Sequence, residues 1–478
     1  MLATAAIDNE HILNKNKSIT NEPIIRSYGK LSSSESSPDD DVTPDTSFML
    51  ASVSKVFVGV AVTKLIELGI IESLDDDICD VIPEEWTNEF GSTTSSACRN
   101  PKYPDTPVTW RMLLTHRSSL IDNIPDVYDE NGDAVVPEYG PTGGYTYDLP
   151  AVGNPTCPLT DVQGFYRDFL LDKETETSVG TTPEPIILED GMPLNWYQVG
   201  KEYGDGAWKN YEPGSKYNYS NFAIGYVAAL IELALEKKGI TQSFDQYCNE
   251  HIFEPLGMDN TRWFREDLPN IDNVAVPVEY DYWRWDEYVD YGHYCYIDYA
   301  SGQLYSSAND MSLFLNSMLK YGSPTIFEST TIGQSMFICQ AQDETGNLLN
   351  VEECEHGIAW EILHNEGKVY IDEYPEYSWL SAYKDYDWTN GGMHNGLEAG
   401  VQTQILVLPN AGVYVAILTN TDSNDEDTET KLASTVAKAA RGEITSTSSA
   451  TRIASPDCAM ACGVTLALLS FATLVVSM

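Results

Sequence analysis

The residues best suited to covalent chemistry in this chain are Ser52 and Lys55, in the run Ser52-Val53-Ser54-Lys55. Side chains three residues apart share one face of a helix at roughly 5–6 Å, so the Lys55 amine can reach the Ser52 hydroxyl. A serine at a helix start also faces the positive end of the helix dipole, which stabilises the alkoxide formed on attack. Lys55 must be unprotonated part of the time, which burial can achieve. The pair indicates a serine nucleophile for acyl transfer.

Spacing alone does not separate this pair from coincidence. Three other serines precede a lysine by three residues: Ser27 with Lys30, Ser317 with Lys320, and Ser381 with Lys384. Only Ser52 follows an extended apolar run, Ser47-Phe48-Met49-Leu50, and opens a strongly apolar helical pattern. Ser52 is therefore the candidate nucleophile.

A second element is Tyr219-Ser220-Asn221, on a loop before a helix that begins near Phe222. A tyrosine there can act as a general base if nearby cations lower its pKa from about 10. Asn221 can hydrogen-bond Lys55 or a substrate amide. The alternative is a tyrosine that merely packs at a helix entry. Tyr247-Cys248-Asn249 has the same form but lies inside a helical pattern, which argues against a site there.

A third element is His394-Asn395-Gly396, which follows two glycines and precedes a predicted strand running from Glu398. The missing side chain at Gly396 lets a substrate lie along the strand edge. The backbone N–H of Leu397, with that of Ser52, can form an oxyanion hole, a pair of donors aimed at the developing negative charge. The alternative is a structural histidine before a strand.

The elements that must position these residues follow from hydrophobic periodicity and breakers. Apolar residues at helical spacing predict a buried helix between Phe48 and Ile71, with Gly69 as its stop. From 121 to about 209 the sequence is a long, loop-rich insertion. The other predicted elements are helices at 109–120, 162–171, 222–238, 244–253, 309–319 and 428–440, strands or an aromatic-walled loop at 272–299, and a hairpin of strands at 402–408 and 413–418. This order predicts a domain built from both chain ends with a helical domain inserted between them.

Composition argues against several classes of function. The chain has 478 residues, of which 42% are hydrophobic and 11% aromatic, too apolar for a mostly disordered protein. Its 27 basic and 73 acidic residues give a formal charge of −46, which repels phosphate backbones, so we expect no nucleic-acid partner. Neither a Cys-x-x-Cys pair nor a His-x-His-x-Asp cluster indicates a metal site.

The nine cysteines, seven of them in the body of the chain, leave the redox compartment open. Several lie in loop-like sequence, where disulfides form in an oxidising compartment, but spacing gives no connectivity. Disulfides and free thiols are equally compatible with the sequence.

The two ends carry conflicting signals about a membrane. Residues 459–478 contain no charge, are long enough to span a bilayer, and follow a polar stretch of small residues. This pattern predicts either a C-terminal transmembrane anchor or a signal for attachment of a glycosylphosphatidylinositol lipid. We therefore expect an extracellular or cell-surface protein held to the membrane by this tail. Residues 1–21 lack the apolar core of a secretory signal, which indicates an incomplete start.

Taken in order, these segments resemble the serine β-lactamase-related family, which includes class C β-lactamases, D-alanyl-D-alanine carboxypeptidases and esterases. Three further segments carry the resemblance, which covers roughly residues 25–440: Leu113-Leu114-Thr115-His116-Arg117-Ser118-Ser119-Leu120, Pro255-Leu256-Gly257-Met258 with Thr261, and the run from Ser301 to Asp310. The resemblance implies an α+β fold of the β-lactamase/transpeptidase type: a mainly antiparallel sheet flanked by helices, with an inserted helical domain.

The resemblance also implies roles for the candidate residues. Ser52 would be acylated, and Lys55 would assist its deprotonation. Tyr219 would serve as base and then as acid to the leaving group, although the division of labour between Lys55 and Tyr219 stays open. Asn221 would position Lys55 and the substrate.

His394 stands where β-lactamases of this type carry a lysine that binds the substrate carboxylate. A mostly neutral histidine should weaken binding of an anionic β-lactam, and histidine at this place is frequent in related esterases and peptidases. His116, on a short apolar helix, is expected to be a hydrogen-bonded structural histidine. The family's N-terminal helix and first strand are largely missing before Pro23.

We expect a β-lactamase-related domain over residues 22–442, with an α/β part at 22–70 and 295–442 and a helical or insertion part at 71–294. A polar linker would occupy 443–458 and the hydrophobic tail 459–478. The expected function is that of a serine hydrolase working through an acyl-enzyme, with neither metal nor organic cofactor. Its substrate would be an ester, or an amide or peptide with a D-residue-like or lactam-like acyl group, and an ester is favoured over a β-lactam. The rival interpretation is a catalytically silent surface protein that uses the fold for binding or sensing.

Overall fold

The main sheet of the protein has six strands in a computed structural model. The structure describes residues 23–32, 41–84, 86, 97–122, 146–149, 161–170, 207–281, 287–342, 348–349, 354, 356–362, 389–421 and 472–477. The strands of this sheet are β1 (Ile24–Tyr28), β8 (Glu361–Ile362), β9 (Gly392–Glu398), β10 (Val401–Leu408), β11 (Val413–Thr419) and β12 (Ala472–Ser477). Their order across the sheet is β1-β12-β11-β10-β9-β8.

Each neighbouring strand pair in this sheet is antiparallel. The predicted hairpin is confirmed: Gln402 pairs with Thr419 and Leu408 with Val413. Gly412 adopts a left-handed φ of +67° that closes its turn, a conformation open to glycine without steric cost. The α+β class with a mainly antiparallel sheet is confirmed.

Strand β12 comes from the apolar C-terminal run and lies between β1 and β11. Residues 472–477 of the predicted tail therefore form a strand of the main sheet, and residues 459–471 lie outside the described residues. Within the described ranges, no helix is both long and apolar enough to cross a bilayer. An apolar run indicates only that a segment is unfavourable in water, and it does not specify the structure that buries the segment. Here β-branched Thr473, Val475 and Val476 favour a strand, and pairing on both sides satisfies its backbone.

Two long helices form the core beside the sheet. Helix α1 (Ser54–Glu67) is buried along nearly its whole length and ends at Gly69, whose φ is +66°. Helix α4 (Asn221–Lys237) begins at a capping Ser220 and is buried through Leu235. The two helices pack against each other. Both were predicted to within a few residues, because their apolar surfaces leave no solvated face.

The remaining elements complete the body around this core. Helices α2 (Trp110–Leu114), α3 (Val162–Leu170), α5 (Phe244–Cys248), α6 (Glu254–Leu256), α7 (Ala308–Met318) and α8 (Thr330–Gln334) flank it, with α5 continuing through a π-helical turn at Asn249–Phe253. Three short antiparallel pairs join β2 (Ser47–Met49) to β7 (Tyr305–Ser307), β3 (Thr146–Leu149) to β6 (His293–Tyr296), and β4 (Val278–Asp281) to β5 (Glu287–Asp290).

Hydrogen bonds join two of the segments that carry the family resemblance. Thr261 Oγ1 lies 2.8 Å from Ser306 Oγ and donates to Asp310 Oδ2 at 2.7 Å. Asp310 also accepts from the backbone of Asn260 at 2.8 Å. All three side chains are buried, so these bonds are shielded from water. They hold β7, which pairs with the strand leading to Ser52.

Several predicted elements lie outside the described residues. These are the helix at 428–440, the tail before 472, and most of the insertion at 121–209, of which 121–122, 146–149, 161–170 and 207–209 are described.

Disulfides resolve the ambiguity about the cysteines. Cys79 bonds to Cys98 and Cys339 to Cys354, and Cys295 is also disulfide-bonded. Within the described part of the chain, Cys248 is a buried free thiol. Disulfides of this number are typical of proteins that fold in an oxidising compartment.

Candidate active site

A sharp turn between a strand and a helix presents Ser52. Strand β2 pairs with β7, and the Leu50 N–H donates to the Leu304 carbonyl at 2.8 Å, which continues that pairing by one residue. Ala51 then adopts a φ of +47°, a left-handed conformation that is strained for a residue with a side chain. Ser52 lies in the 3₁₀ turn Ala51–Val53, two residues before α1. The serine therefore precedes the helix and does not open it.

Strand β9 packs directly against this turn. A side chain at Gly396 would lie 2.4 Å from the Leu50 carbonyl oxygen and 3.0 Å from Ala51 Cβ, closer than real contacts allow. Thr403 on the neighbouring strand donates its hydroxyl to the same Leu50 oxygen at 2.5 Å. The missing side chain at Gly396 thus makes room for the turn that carries Ser52. Its expected contact with substrate stays a prediction.

The strand boundary predicted here also needs correction. His394, Asn395 and Gly396 lie within β9, paired with residues 403–405 of β10, and do not precede a strand that starts at Glu398. The glycines that follow Asn390 suggested a loop, but pairing with β10 on one side and β8 on the other outweighs their low strand propensity.

Lys55 projects from the first turn of α1 toward the serine. Its Nζ donates to Ser52 Oγ at 2.9 Å and to the Ser301 carbonyl at 2.6 Å. The side chain is 1% exposed, and burial lowers its pKa from 10.5 to about 7, while nearby carboxyl groups oppose that shift. A substantial fraction of this lysine is thus a neutral amine at neutral pH, able to accept a proton from Ser52.

Two buried carboxyl groups act electrostatically on Lys55. Burial raises the pKa of Asp298 to about 6 and that of Glu398 to about 8, and the charge of Lys55 opposes both shifts. Asp298 accepts from the Ser301 hydroxyl at 3.3 Å, and Glu398 ends β9. The protonation state of each of these two carboxyl groups and of Lys55 affects the pKa of the others, so their titrations are coupled.

Tyr219 approaches Ser52 from the opposite side. Its hydroxyl donates to Ser52 Oγ at 3.0 Å, and Lys55 Nζ lies 5.1 Å from the centre of its ring. Burial raises the pKa of Tyr219 well above 10, although the hydrogen bond to Ser52 opposes this shift. This corrects the expectation of a tyrosine whose pKa is lowered by cations. Loss of water outweighs the hydrogen bond to Ser52, so Tyr219 stays a phenol and a proton donor.

The other candidate residues surround these three. Asn221 is buried on the first turn of α4, two residues beyond Tyr219, and its bond to Lys55 stays a prediction. His394 is 4% exposed, with Nδ1 2.7 Å from the Asn395 carbonyl oxygen. Burial, and then the charge of Lys55, lower its pKa to about 3, so His394 is neutral. Leu397 faces outward, with 62% of its surface exposed. Among the described residues, no group of three or more metal-ligating side chains could hold a metal ion.

A comparison with family models identifies the chain. The model described as "Beta-lactamase" matches residues 19–153 and 188–439, well over half of the sequence. The protein belongs to the β-lactamase family.

Curated relatives agree with this assignment at low identity. Beta-lactamase-like protein 4 of Dictyostelium discoideum is 23% identical over 348 residues, which is 71% of this chain and 47% of the relative. Beta-lactamase-like protein 2 of the same organism is 23% identical over 353 residues, 71% of this chain and 46% of the relative. The chain therefore spans about half the length of the curated relatives it matches.

A solved structure with a similar backbone is the octameric penicillin-binding protein homologue from Pyrococcus abyssi. It is 20% identical, covers 84% of this chain and 67% of its own, and has a TM-score of 0.46.

Sequence reasoning missed four residues of this β-lactamase-family site. Asp298 and Glu398 belong to no motif, and in a chain with 73 acidic residues nothing in the sequence indicates which of them are buried. The carbonyl that holds Lys55 belongs to Ser301, which was quoted only as part of a family segment. The strained φ at Ala51 has no sequence signal at all, since alanine rarely adopts it.

The pKa of Lys55 predicts how the reactivity of Ser52 depends on pH. Since only the neutral amine accepts the serine proton, the rate at which a fluorescent fluorophosphonate labels Ser52 should rise about tenfold per pH unit below 7 and level off above it. Lys55 interacts electrostatically with the carboxyl groups of Asp298, Glu398 and Glu361. The midpoint of the pH profile therefore reflects the coupled titration of all four groups. Lys55→Arg, which stays protonated, should abolish the rise. A midpoint near 10 would contradict a buried, neutral lysine.

Proposed function

We propose that this protein is a serine acyl hydrolase that works through an acyl-enzyme on Ser52. The supporting observation is that Ser52 Oγ contacts one group suited to accept a proton and one suited to donate a proton. These groups are Lys55 Nζ at 2.9 Å and the Tyr219 hydroxyl at 3.0 Å. The pKa of Lys55 is lowered to about 7, so its amine can accept a proton, whereas the pKa of Tyr219 is raised, so its phenol keeps its proton. A pair of titratable groups whose pKa values move apart is typical of acid–base catalysis.

The pKa values favour one division of labour. Neutral Lys55 accepts the Ser52 proton as Oγ bonds to the acyl carbon, which gives a tetrahedral intermediate. As the bond to the leaving group breaks, Tyr219 gives its proton to the leaving oxygen or nitrogen. The Lys55 ammonium then returns a proton to the phenolate, which restores both groups. In the second half of the reaction neutral Lys55 accepts a proton from water as the water oxygen bonds to the acyl carbon, and Tyr219 gives its proton to Ser52 Oγ as the bond from Oγ to that carbon breaks. The Lys55 ammonium again returns a proton to the phenolate, and the acid and free Ser52 are released.

The remaining residues bind the substrate in this proposal. The backbone N–H groups of Ser52 and Leu397 form the oxyanion hole, because β9 packs against the turn that carries the serine. Asn221 orients Lys55 and the substrate carbonyl from the first turn of α4. His394 contacts the acyl or leaving group as a neutral hydrogen-bonding side chain. The partner is a small ester or amide.

We favour a neutral ester over an anionic β-lactam as substrate. With its pKa near 3, His394 brings no positive charge to a substrate carboxylate, and three carboxyl groups already interact with Lys55. A substrate carboxylate would lose its hydration without gaining a cation at this position, which costs binding energy.

An oxidising compartment, extracellular or at the cell surface, is the proposed location, supported by the disulfides Cys79–Cys98 and Cys339–Cys354. A membrane-impermeant biotin reagent applied to intact native cells should modify this protein and spare a cytosolic marker. Modification only after lysis would contradict the proposal.

The first test of the function is covalent labelling. The full chain should take up a fluorescent fluorophosphonate and hydrolyse p-nitrophenyl esters, and Ser52→Ala should lose both by at least about a thousandfold. Ser317→Ala is the matched control, since Ser317 has the same spacing to a lysine but lies in α7, and it should keep both activities. A folded wild-type chain that stays unlabelled would instead support the silent binding or sensor protein.

The second test uses substrates that differ only in charge. A penicillin and its methyl ester share the lactam ring, so the ratio of their acylation rates isolates the carboxylate. We expect the methyl ester to acylate Ser52 about 10–100-fold faster, which corresponds to one missing hydrogen bond to a charged group. The mass of the acyl-enzyme reports ring opening. A faster reaction with the free acid would contradict the preference for neutral substrates.

A further inference from the structure

His116 occupies an unusual backbone position next to Tyr219. It follows α2, and its φ of +57° is left-handed, a conformation that residues with side chains adopt rarely. Its side chain is 3% exposed. A buried histidine in such a conformation persists when surrounding contacts require it.

Three contacts of His116 go to one tripeptide. Its carbonyl oxygen accepts from the Asn218 N–H at 2.8 Å, and its Nδ1 accepts from the Ser220 N–H at 3.1 Å. Its ring lies 4.5 Å from the ring of Tyr219, tilted by 34°. One residue thus holds the backbone on both sides of Tyr219 and supports the face of its ring.

The hydrogen bond from Ser220 determines the state of the His116 ring. A backbone N–H can only donate, so Nδ1 carries no proton, and a neutral ring carries its proton on Nε2. Burial, and then the charges of His356, Lys55 and His394, keep the pKa of His116 well below 6.5. The acceptor is therefore present throughout the neutral range.

The packing around His116 shows that its neighbours do not replace it. The rings of Tyr217 and His356 meet it edge-on at 6.0 and 5.8 Å and stack on each other at 4.6 Å. The Ser220 hydroxyl is used elsewhere, since it donates to the Ile121 carbonyl at 2.6 Å and caps α4. Among these contacts, His116 is the one residue that touches both flanks and the ring of Tyr219.

We infer that His116 is a positioning residue that orients Tyr219, so that the phenol hydroxyl meets Ser52 Oγ. The inference rests on the proposed function, since orientation of Tyr219 affects rate only if this phenol transfers a proton. It goes beyond the expectation of a hydrogen-bonded structural histidine, because it gives His116 an effect on the reaction rate. A tyrosine displaced by about 1 Å would lose its 3.0 Å contact with Ser52 Oγ, and misplacement of this size costs about 100-fold in rate.

Two substitutions separate the acceptor from the backbone conformation, because both new residues tolerate a left-handed φ. His116→Gly removes the acceptor and the ring, whereas His116→Asn keeps an oxygen close to the position of Nδ1. For ester hydrolysis by the full chain, kcat should fall about 10–100-fold in His116→Gly and by less than about fivefold in His116→Asn, with KM nearly constant. Ser119→Gly, in the same turn with a φ of +63°, is the matched control and should keep wild-type rates.

A double-mutant cycle with Tyr219→Phe decides between positioning and general packing. If His116 acts through the phenol, His116→Gly should cost less than about twofold in the Tyr219→Phe background. An equal 10–100-fold loss in both backgrounds, or unchanged kcat in His116→Gly with Tyr219 intact, would overturn the inference. Labelling of wild-type Ser52 is measured first, so that failure of the proposed function is recognised by an unlabelled wild type and not by the cycle.

Discussion

Burial of the Lys55 amine beside Ser52 is the constraint on which the rest of this structure depends. An ammonium group removed from water is destabilised, and this cost lowers the pKa of Lys55 to about 7. The protein tolerates the amine there because Ser52 and the Ser301 carbonyl accept its hydrogen bonds. The carboxyl groups of Asp298 and Glu398 keep the pKa from falling further. The result is a lysine that changes its charge near neutral pH, where proton transfer from a serine is most useful.

The close approach of three distant segments produces this burial. Helix α1 packs on α4, which brings Tyr219, just before α4, over Ser52. Strand β9 lies against the turn before Ser52, and only glycine fits at position 396. The turn at His116 supports the loop that carries Tyr219. Each segment excludes water from Lys55, so the same packing that stabilises the core also sets the proton balance of the site. Stability and chemistry are thus coupled through desolvation.

Much of the architecture could be predicted because local signals agreed with tertiary packing. The ends of α1 and α4 followed from apolar periodicity and from Gly69 and Gly239, which adopt left-handed φ values. The hairpin of β10 and β11 followed from its turn residues. A prediction failed where long-range pairing outweighed a local signal: residues 394–396 lie within β9, although the glycines before them suggested a loop. The apolar C-terminal run left its environment open, and its residues 472–477 form strand β12. Apolar composition states that a segment must be buried, but not against what.

The sequence by itself determined which groups are available: a serine and a lysine three residues apart, a tyrosine before a helix, and a histidine where a lysine is common in related enzymes. Spacing and residue type suffice for this, because they are properties of the local chain. Only the tertiary structure decided the charge of each group. Burial makes Lys55 partly neutral, keeps Tyr219 protonated and His394 uncharged, and places Glu398 near the lysine. A pKa depends on the water and charges around a group, and these come from residues hundreds of positions away.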